Sequence, residues 1–323
     1  MKFVIAGGTG QIGSILNRSL KSLGHEVSIL TTRKAPDSSQ TNGAKFVQWD
    51  GKSIGSWTKT LESADVLINL AGRSVDCRYN NLNRREIMDS RVLSTRVLGQ
   101  AFAACKNPPT LWLQSSTATI YAHRYDAPND DLAGWMGGNE PGVPDTWKFS
   151  IEVACAWEAA ANETELPKTR LVLMRSAMVM SPDAGGVFDT LLRLVRWGLG
   201  GNVCGGRQFM SWIHADDFVR AILWLVEHEE FSGPINISSP NPLPQSEFMR
   251  ELRRASGTRI GLPAMRWMLE IGTFVLRTES ELILKSRRVI PKRLVDSGFT
   301  FEFSEWKSAA MDLFAKQRRE NGR

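Results

Sequence analysis

The residues best suited to chemistry come at the very start of the chain. Lys2 to Ala6 run straight into Gly7-Gly8-Thr9-Gly10-Gln11-Ile12-Gly13 and then into Ser14-Ile15-Leu16-Asn17-Arg18-Ser19-Leu20. A buried strand, a glycine loop and a helix in that order aim backbone N–H groups, and the positive end of the helix, at whatever fills the loop. A pyrophosphate suits such a place. The glycines have separate jobs: one makes the tight turn, one lets a ligand approach the backbone, and one lets the helix lie close on the strand. Both Gly8-x-Gly10-x-x-Gly13 and the looser Gly7-x-x-Gly10-x-x-Gly13 are dinucleotide spacings, and both follow a strand and open a helix. Gly7, Thr9, Gly10, Gln11, Ile12 and Gly13 are the candidate cradle.

A second strand ends Ser28-Ile29-Leu30-Thr31-Thr32-Arg33-Lys34. An acid here would bind the ribose 2′-hydroxyl of NAD, and no Asp or Glu appears until Asp37. Arg33, twenty residues after Gly13, instead offers a guanidinium fork to a 2′-phosphate, helped by Thr32 and Lys34. NADP(H) is therefore expected, with NAD(H) second. Asp50, ending Phe46-Val47-Gln48-Trp49, is a candidate for the adenine ring, with a surface turn as its plainer use. Asn69-Leu70-Ala71-Gly72 ends a strand in small residues that let backbone lie against ribose and phosphates. Ser115-Ser116-Thr117-Ala118-Thr119-Ile120-Tyr121 places hydroxyls where a nicotinamide ring would lie.

The elements that must position these residues alternate along the first half of the chain. Strands are predicted at Lys2 to Ala6, Glu26 to Thr31, Lys45 to Gln48, Val66 to Asn69, Thr110 to Ser115 and Leu171 to Arg175, with Ile235 to Ile237 as a last return. Helices are predicted at Gln11 to Leu23, Arg84 to Cys105, Trp147 to Asn162 and Asp216 to Glu227. This is the order of an α/β doubly wound parallel sheet, the Rossmann arrangement, whose ligands sit at the carboxyl ends of the strands. From Pro242 onward the pattern is helical, with Gln245 to Ala255, Ala264 to Leu276 and Ser304 to Ala315 forming a small lobe. The expected division is 1–178 with 211–238 for the nucleotide-binding domain, and 179–210 with 239–323 for the substrate lobe. The apolar segment Val187 to Leu199, bracketed by glycines, reads as either a flap or a packed helix.

Composition narrows the partners. Forty Lys and Arg against 34 Asp and Glu give a net charge of +6, but both signs are interspersed, so nucleic acid is not expected. The basic clusters Lys285-Ser286-Arg287-Arg288, Lys292-Arg293 and Lys316 to Arg319 read as solvated helix faces and a frayed end. Cys77, Cys105, Cys155 and Cys204 form no C-x-x-C pair, and the four histidines show no metal-ligand spacing. No metal and a reducing compartment are expected. The apolar run Phe3 to Ala6 is too short for a leader, and no stretch approaches the ~20 apolar residues of a membrane span. A cytoplasmic protein, with no membrane partner and with a homodimer allowed, is the expectation.

The chain resembles the atypical, extended short-chain dehydrogenase/reductases. More narrowly it resembles the epimerase-like branch (nucleoside-diphosphate-sugar epimerase-like proteins) with its C-terminal domain of unknown function. The glycine loop and Asn69 to Gly72 carry the broad likeness. Ser90-Arg91-Val92-Leu93-Ser94-Thr95-Arg96, Trp157-Glu158-Ala159-Ala160, Gly206-Arg207-Gln208-Phe209-Met210-Ser211-Trp212-Ile213-His214 and Val289-Ile290-Pro291-Lys292-Arg293-Leu294 carry the narrow one. The likeness spans nearly the whole chain.

Short-chain dehydrogenases use a Tyr whose phenol is acidified by a Lys four residues later. Here Tyr79, Tyr121 and Tyr125 are followed at that spacing by Asn83, Tyr125 and Asn129. Laid on the family by Glu158, the chain has Ser150 in the tyrosine position and Ala154 in the lysine position. The standard proton transfer is not encoded. Tyr121, oriented by Ser116 and Thr117, is the replacement candidate, with Lys148 a weaker one. Arg73, Arg207 and Trp212 are the candidate wall for an anionic small-molecule substrate. Two readings stay open: an NADP(H)-dependent oxidoreductase or epimerase/dehydratase acting on an anion such as a nucleotide sugar, and a non-catalytic NADP(H)-binding regulator or scaffold.

Overall fold

The structure, a computed structural model, describes residues 1–33, 43–264 and 281–321. Seven parallel strands form one sheet: β1 (Lys2–Ala6), β2 (Glu26–Thr31), β3 (Lys45–Gln48), β4 (Val66–Asn69), β5 (Leu111–Thr117), β6 (Arg170–Ser176) and β10 (Gly233–Ile237), in the order β10-β6-β5-β4-β1-β2-β3. Chain order runs outward in both directions from the β1/β4 pair. That pair is the switch point where a doubly wound sheet opens a crevice at its carboxyl edge. The four buried residues of β1, Phe3 to Ala6, are continuously apolar because helices cover both faces of a parallel sheet.

Helix α1 (Gln11–Ser22) buries Ile15, Leu16 and Leu20 against the sheet, the spacing its apolar stripe requires. On the other face lie α2 (Asn81–Ala104) and α3 (Asp145–Asn162), which pack on each other. Helix α5 (Ala215–Glu227) joins α1, burying Phe218, Ile222 and Leu225 in the same apolar core. All six strands expected before the last return, and that return itself, are present. The predicted helix over 264–276 lies almost wholly outside the described residues.

The lobe has its own core. Helices α4 (Val187–Arg196), α6 (Gln245–Ser256) and α9 (Trp306–Asn321) bring Phe188, Leu192, Phe248, Leu252, Trp306 and Leu313 together. Phe248 stacks on Trp306 at 3.9 Å. Val187 to Arg196 is thus a packed helix, with Trp197 left outside. The short strands β7 (Met178–Met180) and β9 (Trp212–His214) pair in parallel beside the sheet, and β8 (Phe209–Met210) pairs with β11 (Leu243–Pro244). The expected boundaries need two corrections: Trp212 packs into the lobe core, while Leu294 of α8 (Lys292–Asp296) and Phe299 pack into the sheet core. The chain recrosses the boundary because Asp217 accepts the Glu302 and Phe303 N–H groups, each at 2.8 Å.

His214 caps α5: its Nδ1 accepts the Asp216 N–H at 3.1 Å, and Nε2 bonds Asp312 at 3.1 Å. Although no spacing predicted it, the fold brings His214, Asp216 and Asp312 within 4.8 Å of one another. The Lys316 ammonium bonds both carboxylates, at 2.7 and 2.9 Å, so a side chain already supplies the positive charge. Burial pulls the His214 pKa below its usual 6.5. A base with a depressed folded pKa contributes stability that is present above 6.5 and is lost as pH falls through the folded value. His214→Asn keeps a capping acceptor without a titrating ring. Its urea midpoint is therefore expected to fall less than the parent's between about pH 7 and about pH 5.

Candidate functional site

The glycine loop is built by contact. Gly7 has φ +76, a left-handed conformation, and a Cβ there would lie 2.9 Å from the backbone of Ala71. On Gly13 a Cβ would lie 2.4 Å from Gly8 Cα, so helix and loop touch backbone to backbone. Gly10 differs. Its nearest neighbour would be the Gly7 carbonyl at 3.6 Å, which leaves its outer side open at the helix start. Gly10 occupies the N-cap with no side-chain cap, and the first turn holds no acid. The free N–H groups of Gln11, Ile12 and Gly13 and the helix dipole therefore face an open, uncompensated space. The Gln11 side chain reaches the other way, to Ser181 Oγ at 3.3 Å, and packs on Gly186. These residues fit a pyrophosphate.

Thr32 and Arg33 are exposed at the end of β2, beside the loop, where Gly7 N–H bonds the Leu30 carbonyl at 3.0 Å. Lys34 lies outside the described residues. Asp50 is committed locally: it bonds the Ser53 hydroxyl and accepts the Lys52 and Ser53 N–H groups at 2.8 and 2.9 Å. These bonds, that of the Ser53 hydroxyl foremost, hold its pKa down to about 2. The adenine assignment is thus corrected to a turn-capping acid.

At the switch point Asn69 is fully buried. Its amide donates to Thr95 Oγ1 (3.1 Å) and Gln114 Oε1 (2.9 Å), and its carbonyl oxygen accepts the Ala71 N–H at 3.0 Å. This fixes Leu70-Ala71-Gly72 against the glycine loop. Arg91 packs under Gly72, where a Cβ would meet its Cζ at 3.1 Å, and lies over the Trp157 ring at 5.0 Å. Arg73 is a correction. Its guanidinium is tied to Glu86 and to Asn83 Oδ1, so a neighbouring turn of α2 consumes it.

The catalytic candidates at the end of β5 divide by the pleat. Thr117 faces a cavity, whereas Ser116 points to the opposite side and donates to Glu158 Oε1 at 2.5 Å. Tyr121 follows Ser116 inward: its hydroxyl donates to Asn236 Oδ1 at 2.8 Å and accepts from Arg175 at 3.1 Å. The side chain is 2% exposed, with its hydroxyl engaged by both of these partners. Burial raises its pKa above the usual 10, the reverse of what a catalytic phenol needs. Tyr121 and Ser116 belong to a buried network around the Arg175–Glu158 ion pair, and their proposed catalytic role is overturned.

The cavity itself has a volume of about 120 Å³ and lies between α2, α3 and the segment after residue 281. Its walls include Ser150 and Ala154, the two positions that depart from the family pair, with Phe149, Val153 and Trp157. Its polar groups are Tyr79, Arg91, Thr117, Thr119, Glu281 and Arg287. Ser150 Oγ bonds the Glu281 carboxylate, and Tyr79 Oη lies 3.4 Å from the same Oγ. Arg287 donates to Thr119 Oγ1 at 3.1 Å and approaches Glu281 at 3.7 Å. Burial lowers the Arg91 pKa to about 10, which leaves it charged at neutral pH. Arg91 donates to the Arg73 and Ile87 carbonyls, at 3.0 and 3.1 Å, and so reaches the cavity with its guanidinium held in place.

Sequence reasoning reached Tyr79, one of the residues after the fourth strand considered for the pocket wall, and missed the rest of this set for a definite reason. Lys285 and Arg287, read as a solvated basic cluster, are drawn inward: Lys285 is 2% exposed and donates to the Thr119 carbonyl at 2.6 Å. Burial, with Arg287 nearby, lowers the Lys285 pKa to about 8. Tyr79 stood in the stretch after the fourth strand and Arg91 in the helix motif. Nothing in the spacing joined them to Glu281. Arg207 is exposed, over the Tyr125 ring at 5.8 Å, and Trp212 is fully buried against Trp306. Neither lines the cavity: Trp212 belongs to the lobe core, which corrects its assignment, and Arg207 stands on the surface outside the cavity. Lys148 is exposed. Among the described residues no helix is long and apolar enough to cross a membrane.

Comparison with known proteins gives a consistent picture. The model of the NAD dependent epimerase/dehydratase family matches residues 3–238, and that of a domain of unknown function (DUF1731) matches residues 266–313. An epimerase family protein of Staphylococcus aureus is 30% identical over 317 residues, 98% of this chain and 99% of its own. The epimerase family protein YfhF of Bacillus subtilis is 29% identical over 318 residues, again 98% of this chain and 99% of its own. Among solved structures, the human epimerase family protein SDR39U1, determined with NADPH, superposes with a TM-score of 0.83 at 28% identity, covering 98% of this chain and 99% of that one.

Proposed function

Because the chain belongs to the NAD dependent epimerase/dehydratase family, we propose that it is an NADP(H)-dependent enzyme acting on a small anionic carbonyl or carbinol compound held in the cavity lined by Arg91 and Arg287. One observation carries the reading: Ser150 and Ala154 line a cavity that also holds a phenol, a carboxylate and two guanidiniums. The open backbone at Gly10 and the uncapped start of α1 support the pyrophosphate. Arg33 at the end of β2, and the NADPH of the human relative, favour the phosphorylated cofactor.

When bound, the nicotinamide exchanges two electrons and a proton with a substrate carbon. The chain's own residues do the rest. Arg91 and Arg287 attract and orient the anionic group, as guanidiniums do for carboxylates and phosphates. Phe149, Val153 and Trp157 exclude water from the substrate's body. Thr117 and Thr119 add hydroxyls to position a substrate oxygen. The competing reading, a cofactor-binding regulator, rests on the serine and alanine that replace the family pair. The polar groups gathered around those two positions favour the enzyme.

Thermal-shift titration with NADPH and NADH tests the cofactor. NADPH is expected to stabilise the protein at the lower concentration, and Arg33→Ala to narrow the preference about tenfold, the worth of one charge-assisted hydrogen bond. Equal stabilisation by the two cofactors would sink the Arg33 argument. No binding of either would sink the whole reading.

A further inference from the structure

The sequence lacks a Tyr-x-x-x-Lys pair, yet the fold brings a phenol and cationic groups to the same place by another route. We propose that Tyr79 is the catalytic proton donor and acceptor, that Ser150 links it to Glu281, and that Arg91 and Arg287 take over the charge role of the missing lysine. This rests on the NADP(H)-dependent reading above and names the residues that would carry out its proton transfer.

Of the chain's three tyrosines, Tyr79 is the one whose ring lines the cavity. Tyr121 is bonded into the Arg175 network, and Tyr125 is exposed outside it. The Tyr79 ring is held edge-on against Phe149 at 5.1 Å, which places its oxygen 3.4 Å from Ser150 Oγ. Position 150 is where the family's own phenol would begin. A serine there has shed the ring and kept an oxygen, and the ring arrives instead from the loop after β4. Position 154 is alanine, and the cavity it lines receives the guanidinium of Arg287 from the segment after α7 (Glu281–Leu284).

Among the described residues, charged groups reach the cavity from two further elements. Arg91 reaches in from α2, and Glu281 and Arg287 from α7 and the turn after it, while Cys77 lies on Tyr79's own loop. Both guanidiniums line the cavity that Tyr79 lines, and a nearby cation favours a phenolate.

The proton count closes on the chain's own atoms. When a carbinol is oxidised, its O–H bond breaks and the proton passes to the Tyr79 phenolate, while its C–H bond breaks and the hydrogen leaves with both electrons as a hydride to the dinucleotide proposed above. The phenol then gives its proton to Ser150 Oγ as that hydroxyl gives its own to the Glu281 carboxylate. Reduction of a carbonyl runs the same transfers backward. The 3.4 Å gap is long for an O–H···O bond, as catalytic contacts often are before the substrate closes them.

The test begins with Tyr79→Phe, which keeps the ring against Phe149. NADPH affinity within about twofold of the parent is expected, because the phenol is not part of the cradle. With a panel of aliphatic and aromatic oxo-carboxylates, followed as NADPH oxidised, kcat is expected to drop about 100-fold or more while KM moves less than about threefold. Unchanged kcat overturns the proposal. A second readout needs no turnover. Protein labelled at the tyrosine ring carbon bearing oxygen gives one resonance per tyrosine, assigned with Phe variants. Arg287→Gln and Arg91→Gln are each expected to move the Tyr79 titration to higher pH and to leave that of Tyr121 in place. A Tyr79 resonance indifferent to both changes overturns the proposal whatever the panel shows. Failure of the parent to bind NADPH instead defeats the cofactor reading, and the tyrosine titration is still read on the free protein.

Discussion

Replacing Glu158 by Leu is expected to cost about 3 to 5 kcal/mol of stability, the usual result of removing one partner from a buried ion pair. Arg175 donates twice to Glu158, at 2.8 Å from Nε and 2.8 Å from Nη2, and both side chains are only 10% exposed. Burial by itself would lower the Arg175 pKa, and the hydrogen bonds it donates to Glu158 reverse that and raise it. Without the carboxylate the guanidinium stays charged and buried, left with the Tyr121 oxygen at 3.1 Å. Ser116 loses its acceptor in the same step. Urea denaturation of parent and variant reads the difference directly. Replacing both partners with apolar residues, Glu158→Leu with Arg175→Met, is expected to recover most of the loss, because no charge then remains to be desolvated. A single variant within 1 kcal/mol of the parent would show that the network is not what holds β5, β6 and α3 together.

The second large effect falls on the glycine loop. Gly13→Ala puts a methyl 2.4 Å from Gly8 Cα and 2.5 Å from Gly8 O. Both are backbone atoms, so no rotamer relieves the clash and α1 must lift off the loop. Overpacking of this kind costs about 1 to 3 kcal/mol. The greater loss is expected in NADPH affinity, about 100-fold, because the N–H groups of Gln11, Ile12 and Gly13 move with the helix. Gly10→Ala makes the informative contrast. Its methyl meets only the Gly7 carbonyl at 3.6 Å, so stability should hold while affinity drops, the methyl standing where a phosphate would lie. If both variants bound NADPH like the parent, the loop would be a strand-to-helix connection and no more.

The sheet was legible because its signals are local. Short apolar stretches, such as Phe3 to Ala6 of β1 and Val66 to Ile68 of β4, mark strands buried on both faces, and the observed limits of β1 to β4 coincide with the predicted ones. The glycine loop was legible for the same reason, since strand, turn and helix start are neighbours in the chain. The catalytic assignments failed where facing had to be known. Ser116 and Thr117 are adjacent hydroxyls, and the pleat sends one to Glu158 and the other to the cavity. Arg73 and Arg91 are both arginines at the β4 edge. Glu86 and Asn83 claim the first, and the second packs on Trp157.

From sequence alone came the parallel sheet, the dinucleotide loop, the expectation of NADP(H) and the loss of the Tyr and Lys pair at Ser150 and Ala154. Each of these is written in residues within one strand-helix unit, or in a comparison made position by position. What surrounds Ser150 was decided only by the tertiary structure. Tyr79, Arg91, Glu281 and Arg287 come from a loop, a helix and a C-terminal segment up to about 200 residues apart, and packing of the last segment over α3 unites them. No periodicity or spacing records that a basic cluster near the end of a chain will turn inward. The sheet follows from which residues avoid water, and the cavity from which distant side chains the closed fold leaves facing one another.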